Sequence, residues 1–151
     1  MKFLSTLLTA AALCLFFTTT AYSQCKTFAG AECKQQLTPF VHDGLFNVSE
    51  LSEGESVEFT KTLYANQNYR IVLCSQPYLP KIKLTVMDSD RNVLFSNIDK
   101  NYATTWDFTI ETNQLLIISV EMETVDDSIS GGIARGCVAV LIGKNNLKTK
   151  D

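Results

Sequence analysis

The 151-residue sequence predicts an all-β protein, an antiparallel β-sandwich of jelly-roll type with seven or eight strands and disulfide staples. Three observations predict it. From residue 56 onward, short runs rich in β-branched and aromatic residues recur between clusters of Gly, Asn, Asp, Ser and Pro, the pattern of many strands joined by turns. Several runs alternate apolar and polar residues with period two, the mark of a strand with one buried face. Four cysteines also remain once an export leader is set aside, and an even set in an exported chain reads as disulfides.

The leader comes first. Lys2 supplies a positive start and Phe3 to Phe17 an apolar stretch, followed by Thr18-Thr19-Thr20 and the small residues of Ala21-Tyr22-Ser23. This reads as a cleavable signal peptide, residues 1–23, cut before Gln24. The apolar stretch is shorter than the roughly 20 residues a membrane-spanning helix needs, so no stable membrane insertion of the mature chain is expected. Lipid anchoring at Cys25 or Cys14 is disfavoured, because Gln24 and Leu13 stand where a small residue is required.

Between Cys25 and Gly44 the signals are weakest. Lys34-Gln35-Gln36-Leu37 reads as a short helical turn ending before Pro39, since proline pushes its predecessor out of the helical region. A weak strand is expected around Leu45 to Leu51. After the turn at Glu53-Gly54-Glu55, Val57, Phe59 and Leu63 alternate with Glu58, Thr60 and Thr62. Tyr69 to Cys74 follows, then a break at Pro77 and Pro80. Ile82, Leu84 and Val86 form a further half-buried strand, and Asp88 to Asn92 reads as a hairpin turn leading into Val93 to Phe95. Trp106, Phe108 and Ile110 share one strand face. Leu115 to Val120 and Cys137 to Ile142 are apolar on both faces and read as central strands. The single domain therefore spans residues 24–143, with a flexible polar tail at 144–151.

The remaining cysteines are Cys25, Cys33, Cys74 and Cys137. Of three connectivities, Cys25 with Cys33 and Cys74 with Cys137 is favoured, the first pair being local and the second lying on two apolar strands. No pair has the close spacing of a zinc site. Removing the leader takes away Lys2 alone among the charges, which leaves 12 basic and 16 acidic residues. A mildly acidic chain without a basic stripe has no footprint for nucleic acid or for an anionic membrane surface.

Leu51-Ser52-Glu53-Gly54-Glu55-Ser56-Val57-Glu58-Phe59, Asn68-Tyr69-Arg70-Ile71, Leu84-Thr85-Val86-Met87-Asp88 and Asn92-Val93-Leu94-Phe95 resemble successive turns and strands of the bacterial pre-peptidase C-terminal type of domain. With Trp106-Asp107-Phe108 and Gly136-Cys137-Val138, the layout also resembles small stand-alone exported proteins of Bacteroidetes-type bacteria. The resemblance covers roughly residues 45–142 and implies an accessory β-sandwich. Such domains usually accompany a catalytic partner.

Candidate sites are few. His42 beside Asp43 could serve a Ser-His-Asp arrangement, but no nucleophile elbow accompanies it, and a loop histidine is the simpler reading. Asp88, Asp90 and Asn92 open like a calcium loop, yet Val93 and Asp99 stand where an EF-hand needs Gly and Glu; a hairpin turn accounts for the same residues. Asp126-Asp127, Glu121 and Glu123 read as solvated charges. Trp106 reads as core rather than as a sugar platform, given its partners Phe108 and Ile110. Tyr64, Tyr78 and Tyr102 fall at loops or strand ends and are the better binding candidates. Asn47-Val48-Ser49 and Asp127-Ser128-Ile129 match short glycosylation patterns.

No catalytic set assembles and no cofactor is implied. The expectation is an exported, non-catalytic module, periplasmic or extracellular, binding envelope components, polysaccharide or another exported protein. The alternatives are a small carboxylate-dependent hydrolase assisted by calcium, and a structural subunit of a surface assembly.

Overall fold

In a computed structural model, which describes residues 20–125 and 132–146, the chain forms two packed antiparallel sheets under a helical cap. Helix α1 (Thr20–Phe28) runs into a wide helical turn (Ala29–Cys33) and a tight one (Lys34–Leu37). Nine strands follow among the described residues: β1 (Val41–His42), β2 (Asn47–Ser52), β3 (Ser56–Leu63), β4 (Gln67–Ser75), β5 (Ile82–Met87), β6 (Val93–Ser96), β7 (Thr105–Ile110), β8 (Gln114–Met122) and β9 (Arg135–Asn146). One sheet has the order β2-β9-β4-β7, with β1 extending the β2 edge, and the other β3-β8-β5-β6. Apart from the β5–β6 hairpin, strands β2 to β9 alternate in sequence between the two sheets, the weave of a jelly roll. The count exceeds expectation by the two-residue β1.

Turn chemistry sets the connections. Gly54 (φ +76°) turns β2 into β3, and the Glu55 carboxylate accepts the Ser52 amide proton at 2.7 Å. At the β5–β6 hairpin, Asp88 Oδ1 accepts the backbone N–H groups of Asp90 and Asn92 at 2.9 and 2.8 Å, while Oδ2 accepts the Asn92 side chain. Leu37 ends the cap as expected, with Thr38 extended (φ −55°, ψ 131°) before Pro39.

The main core lies between the sheets. Ile71, Leu84, Leu116, Ile118, Val120, Val140 and Ile142 are buried there, and each aliphatic side chain removed from water contributes about 1.5–3 kcal/mol. A second core lies outside the first sheet, where Ala29, Cys33 and Leu37 of the cap pack on Val72, Cys74, Ala139 and Leu141. The cap approaches so closely that a Cβ on Gly143 would lie 3.0 Å from Leu37 Cδ2.

This cap separates two strands that look alike in sequence. Cys137 to Ile142 of β9 is buried on both faces, one by the main core and one by the cap. Leu115 to Val120 of β8 is not. Leu116, Ile118 and Val120 are buried, but Leu115 is 41% exposed and Ile117 half-buried, since Leu115 and Ile117 face outward on a sheet that no element among the described residues caps.

Two further expectations change. The disulfide joins Cys25 to Cys137, 112 positions apart, because α1 crosses the outer face of β9; Cys33 and Cys74 are both free thiols. The favoured Cys25–Cys33 and Cys74–Cys137 pairing is therefore wrong. The polar tail starts later, because Lys144, Asn145 and Asn146 pair with Tyr69, Asn68 and Gln67; residues 147–151 lie outside the described residues. The expected leader lies largely outside them as well, and Thr20–Ser23 is the first turn of α1. Asp126-Asp127 and Asp127-Ser128-Ile129 also fall outside the described residues.

Candidate functional site

The sandwich has two flanks, built differently. On one, Phe95 of β6 stacks on Trp106 of β7 at 4.7 Å, Trp106 on Phe108 at 4.0 Å, and Phe108 on Tyr69 at 5.9 Å. This aromatic column bridges the sheets, and Trp106 is half-buried within it against the core. It serves as packing.

On the other flank, edge strands β2 and β3 stand apart. The pairing of β2 with β9 aligns Asn47 with Val140 and Ser49 with Val138, and both valines belong to the main core. Asn47 and Ser49 therefore occupy core-facing positions with small polar side chains. Across from them, β3 presents Val57 and Phe59. The space that larger apolar side chains would fill is a solvent-open cavity of about 200 Å³, lined by Phe46, Asn47, Ser49, Val57, Phe59 and Val138 among others. Asn47 Nδ2 donates to the Val140 carbonyl at 3.3 Å, fixing the amide at the rim. The Asn-x-Ser pattern that reads as a glycosylation acceptor is thus part of a cavity wall.

Farther along β3, the next core-facing position is Lys61. Its ammonium donates to the Asp43 carboxylate across the gap between the sheets, with only 20% and 10% of the two side chains exposed. Asp43 is held by its own loop, since its other oxygen accepts the Leu45 amide at 2.9 Å and Gly44 turns the chain at φ +91°. Beyond the pair, a polar cleft of about 320 Å³ is lined by Asp43, Thr60, Lys61, Thr62, Tyr64 and Lys144, with Tyr69 at its floor. The flank is therefore an apolar recess, a charged bridge and a polar recess in sequence. A mostly apolar hollow with a few placed polar groups is the ordinary form of a binding site.

His42 does not reach this cleft as a base. Its Nε2 hydrogen-bonds the Leu45 carbonyl at 3.0 Å, and its ring meets Phe46 edge-on at 4.8 Å. Asp43 Oδ1 stands 3.7 Å from that nitrogen, and the stronger partners of Asp43 are Lys61 and the Leu45 amide.

The predicted tyrosines are not brought together. Tyr64 borders the polar cleft. Tyr78 donates to Gln76 Oε1 at 2.8 Å on the β4–β5 connection. Tyr102 donates to Glu123, with the Lys81 ammonium 4.6 Å from its ring centre. Its hydroxyl is pushed above the usual tyrosine value, the hydrogen bond to Glu123 being the main cause. The calcium candidates Asp88, Asp90 and Asn92 form a turn in which both Asp88 oxygens already accept hydrogen bonds. Among the described residues, no group of three or more His, Cys, Asp or Glu side chains is placed to hold a metal ion.

Other carboxylates are engaged one by one. Asp107 is paired with Arg70 through two bonds, Glu58 with Arg91, Glu50 with Arg135, and Glu121 with Lys83. The Asp43–Lys61 bridge and the Asn47–Ser49 wall were missed in the sequence. Their signal was there: Lys61 is the one polar residue at an apolar position of the Val57, Phe59, Leu63 alternation.

No protein-family model matches this chain, and no curated protein matches it in sequence. Among solved structures it is similar to the crystal structure of Aeromonas hydrophila PliG, a periplasmic lysozyme inhibitor of g-type lysozyme, with a TM-score of 0.48 and 7% identity. That likeness covers 71% of this chain and 89% of the other. Among the described residues, no helix is long and apolar enough to cross a membrane.

Proposed function

We propose that this chain is an exported, non-catalytic β-sandwich that binds another exported protein through the flank between β2 and β3. The observation that carries the reading is the apolar recess of about 200 Å³, opened by Asn47 and Ser49 at core-facing positions, with the Asp43–Lys61 bridge farther along the same flank. Its size decides the occupant. Pockets that swallow a small molecule run to roughly 300–1,000 Å³, whereas this recess suits an apolar side chain. One anchor residue in a fitted pocket with a polar surround is how protein interfaces concentrate their energy. Polysaccharide is disfavoured because Trp106 is committed to the aromatic column. A hydrolase is disfavoured because Asp107, Glu58 and Glu50 are each held by an arginine.

The test compares the mature protein with Ser49→Leu, which fills the recess from within. Both are titrated against purified exported proteins, lysozymes among them, and against glycan panels and fluorescent fatty-acid probes. Binding to a protein that is lost in Ser49→Leu supports the reading. Binding confined to glycans or fatty acids, protein binding that Ser49→Leu leaves intact, or activity of the chain alone on a glycan overturns it.

A further inference from the structure

Cys33 and Cys74 meet where the helical cap packs on the first sheet. Both are buried, in the cluster formed with Ala29, Leu37, Val72, Ala139 and Leu141. They pack in that one cluster across the cap–sheet seam, and Gln36, three residues on from Cys33, donates its Nε2 to Cys74 Sγ at 3.3 Å. The two thiols differ in access. Cys74 borders an open cleft of about 570 Å³ whose walls include Phe28, Glu32, Gln36, Ser75 and Thr104, whereas Cys33 does not line it.

We propose that Cys33 and Cys74 are an oxidation site for a disulfide-carrying thiol oxidant and become a second disulfide in the exported protein. The proposal rests on the export reading for the presence of such an oxidant, because disulfides form and persist in oxidising compartments. The contact itself comes from the fold, which already uses Cys25 and Cys137 for one link.

The order of events follows from the geometry. The Cys33 thiol donates to Cys74, which holds Cys74 below the ordinary cysteine value, with the Gln36 amide helping. The same bond and burial push Cys33 up. Thiolates are the attacking species. Cys74 attacks one sulfur of the donor disulfide and expels a donor thiolate, leaving a mixed disulfide. Cys33 then gives its proton to solvent, attacks the Cys74 sulfur and expels the second donor thiolate. Two protein thiols lose two electrons and two protons, and the donor disulfide becomes two thiols. The product ties the wide turn of the cap to β4, as Cys25 ties α1 to β9.

The test uses two samples: full-length chain recovered from the exporting cell, and chain produced without residues 1–23 in a reducing cytosol, purified folded and incubated with oxidised glutathione. Each is denatured without reductant, alkylated with iodoacetamide and mapped by mass spectrometry. The expected result is a Cys33–Cys74 linked peptide and loss of alkylation at both residues in each sample. In the glutathione reaction, Cys33→Ser is expected to accumulate glutathione on Cys74, while Cys74→Ser leaves Cys33 unmodified.

Alkylated Cys33 and Cys74 beside an intact Cys25–Cys137 link in the exported sample overturn the proposal. So does glutathione accumulating on Cys33 in Cys74→Ser. Failure of export alone shows as a chain retaining residues 1–23 inside the cell. The glutathione reaction on folded protein then decides, and its failure to join the pair overturns the proposal.

Discussion

Lys61 donates to Asp43 across the gap between the two sheets, from a core-facing position on an edge strand. An inward-pointing charge on an edge strand discourages pairing with another chain. Here the same charge lines the polar cleft, at the core-facing position of β3 after Phe59 of the apolar recess.

Lys61→Leu should therefore do two things. Asp43 loses its ion partner while still mostly buried, which costs about 1–3 kcal/mol, between the values for exposed and fully buried pairs. The edge also becomes continuously apolar, so light scattering should show concentration-dependent association. A monomer of unchanged urea midpoint would contradict both points.

Ser49→Leu places an aliphatic group in the recess. Each buried methylene contributes about 0.8 kcal/mol, offset by crowding against Val57 and Phe59. The expected net change is a gain of about 1 kcal/mol in urea unfolding, together with loss of partner binding. A stability loss above about 1 kcal/mol would mean that the recess does not accept the side chain.

The Cys25–Cys137 link closes a separation of 112 positions. In the chain-entropy model a loop of that length contributes about 5 kcal/mol, with measured losses of about 2–5 kcal/mol when native links are removed. Replacing both cysteines by serine should lower stability within that range, and hydrogen exchange should speed up first in the cap. Unchanged exchange from Ala29 to Leu37 would show that the second core holds the cap without it.

Asn97 is a fully buried polar residue that nothing in the sequence marks. Its Oδ1 accepts the Leu84 N–H at 2.8 Å and its Nδ2 donates to the Ile82 carbonyl at 3.0 Å, so one side chain serves as a backbone partner for β5. Asn97→Ala leaves both groups buried and unpaired, at about 1–3 kcal/mol each. Denaturation and exchange at the Leu84 amide should both register the loss.

The β5–β6 turn should respond to acid. Bonds from the Asn92 side chain, the Asn92 backbone and the Asp90 backbone hold the Asp88 carboxyl below its usual value. A carboxyl whose folded value is depressed contributes stability that is complete above its unfolded value, about pH 4. That contribution is lost as pH falls through the lower folded value. In an NMR titration, the Asp90 and Asn92 amides should therefore shift with a midpoint below about 3.9. A midpoint at or above that value would show that the turn bonds are not formed.

Much of the fold was legible because strands announce themselves locally. The alternations of β3, β5 and β7 and the turn residues at Gly54 and Asp88 needed only neighbours in sequence. The site was less legible. Asn47, Ser49 and Lys61 matter because they face inward, and only the register with β9 and β8 shows which way each points. Asp43 and Lys61 are 18 positions apart and meet across two sheets.

By itself, the sequence determined the β class, the jelly-roll grammar, the even set of cysteines and the expectation of export, since these follow from composition and short-range periodicity. Tertiary structure alone decided which cysteines meet, which of two similar apolar strands is covered on both faces, and where the sandwich stays open. Each depends on what a distant segment lays over a given face. The cap over β9 puts Cys25 on Cys137 and Cys33 beside Cys74, while none of the described residues forms such a cover on the outer face of β8.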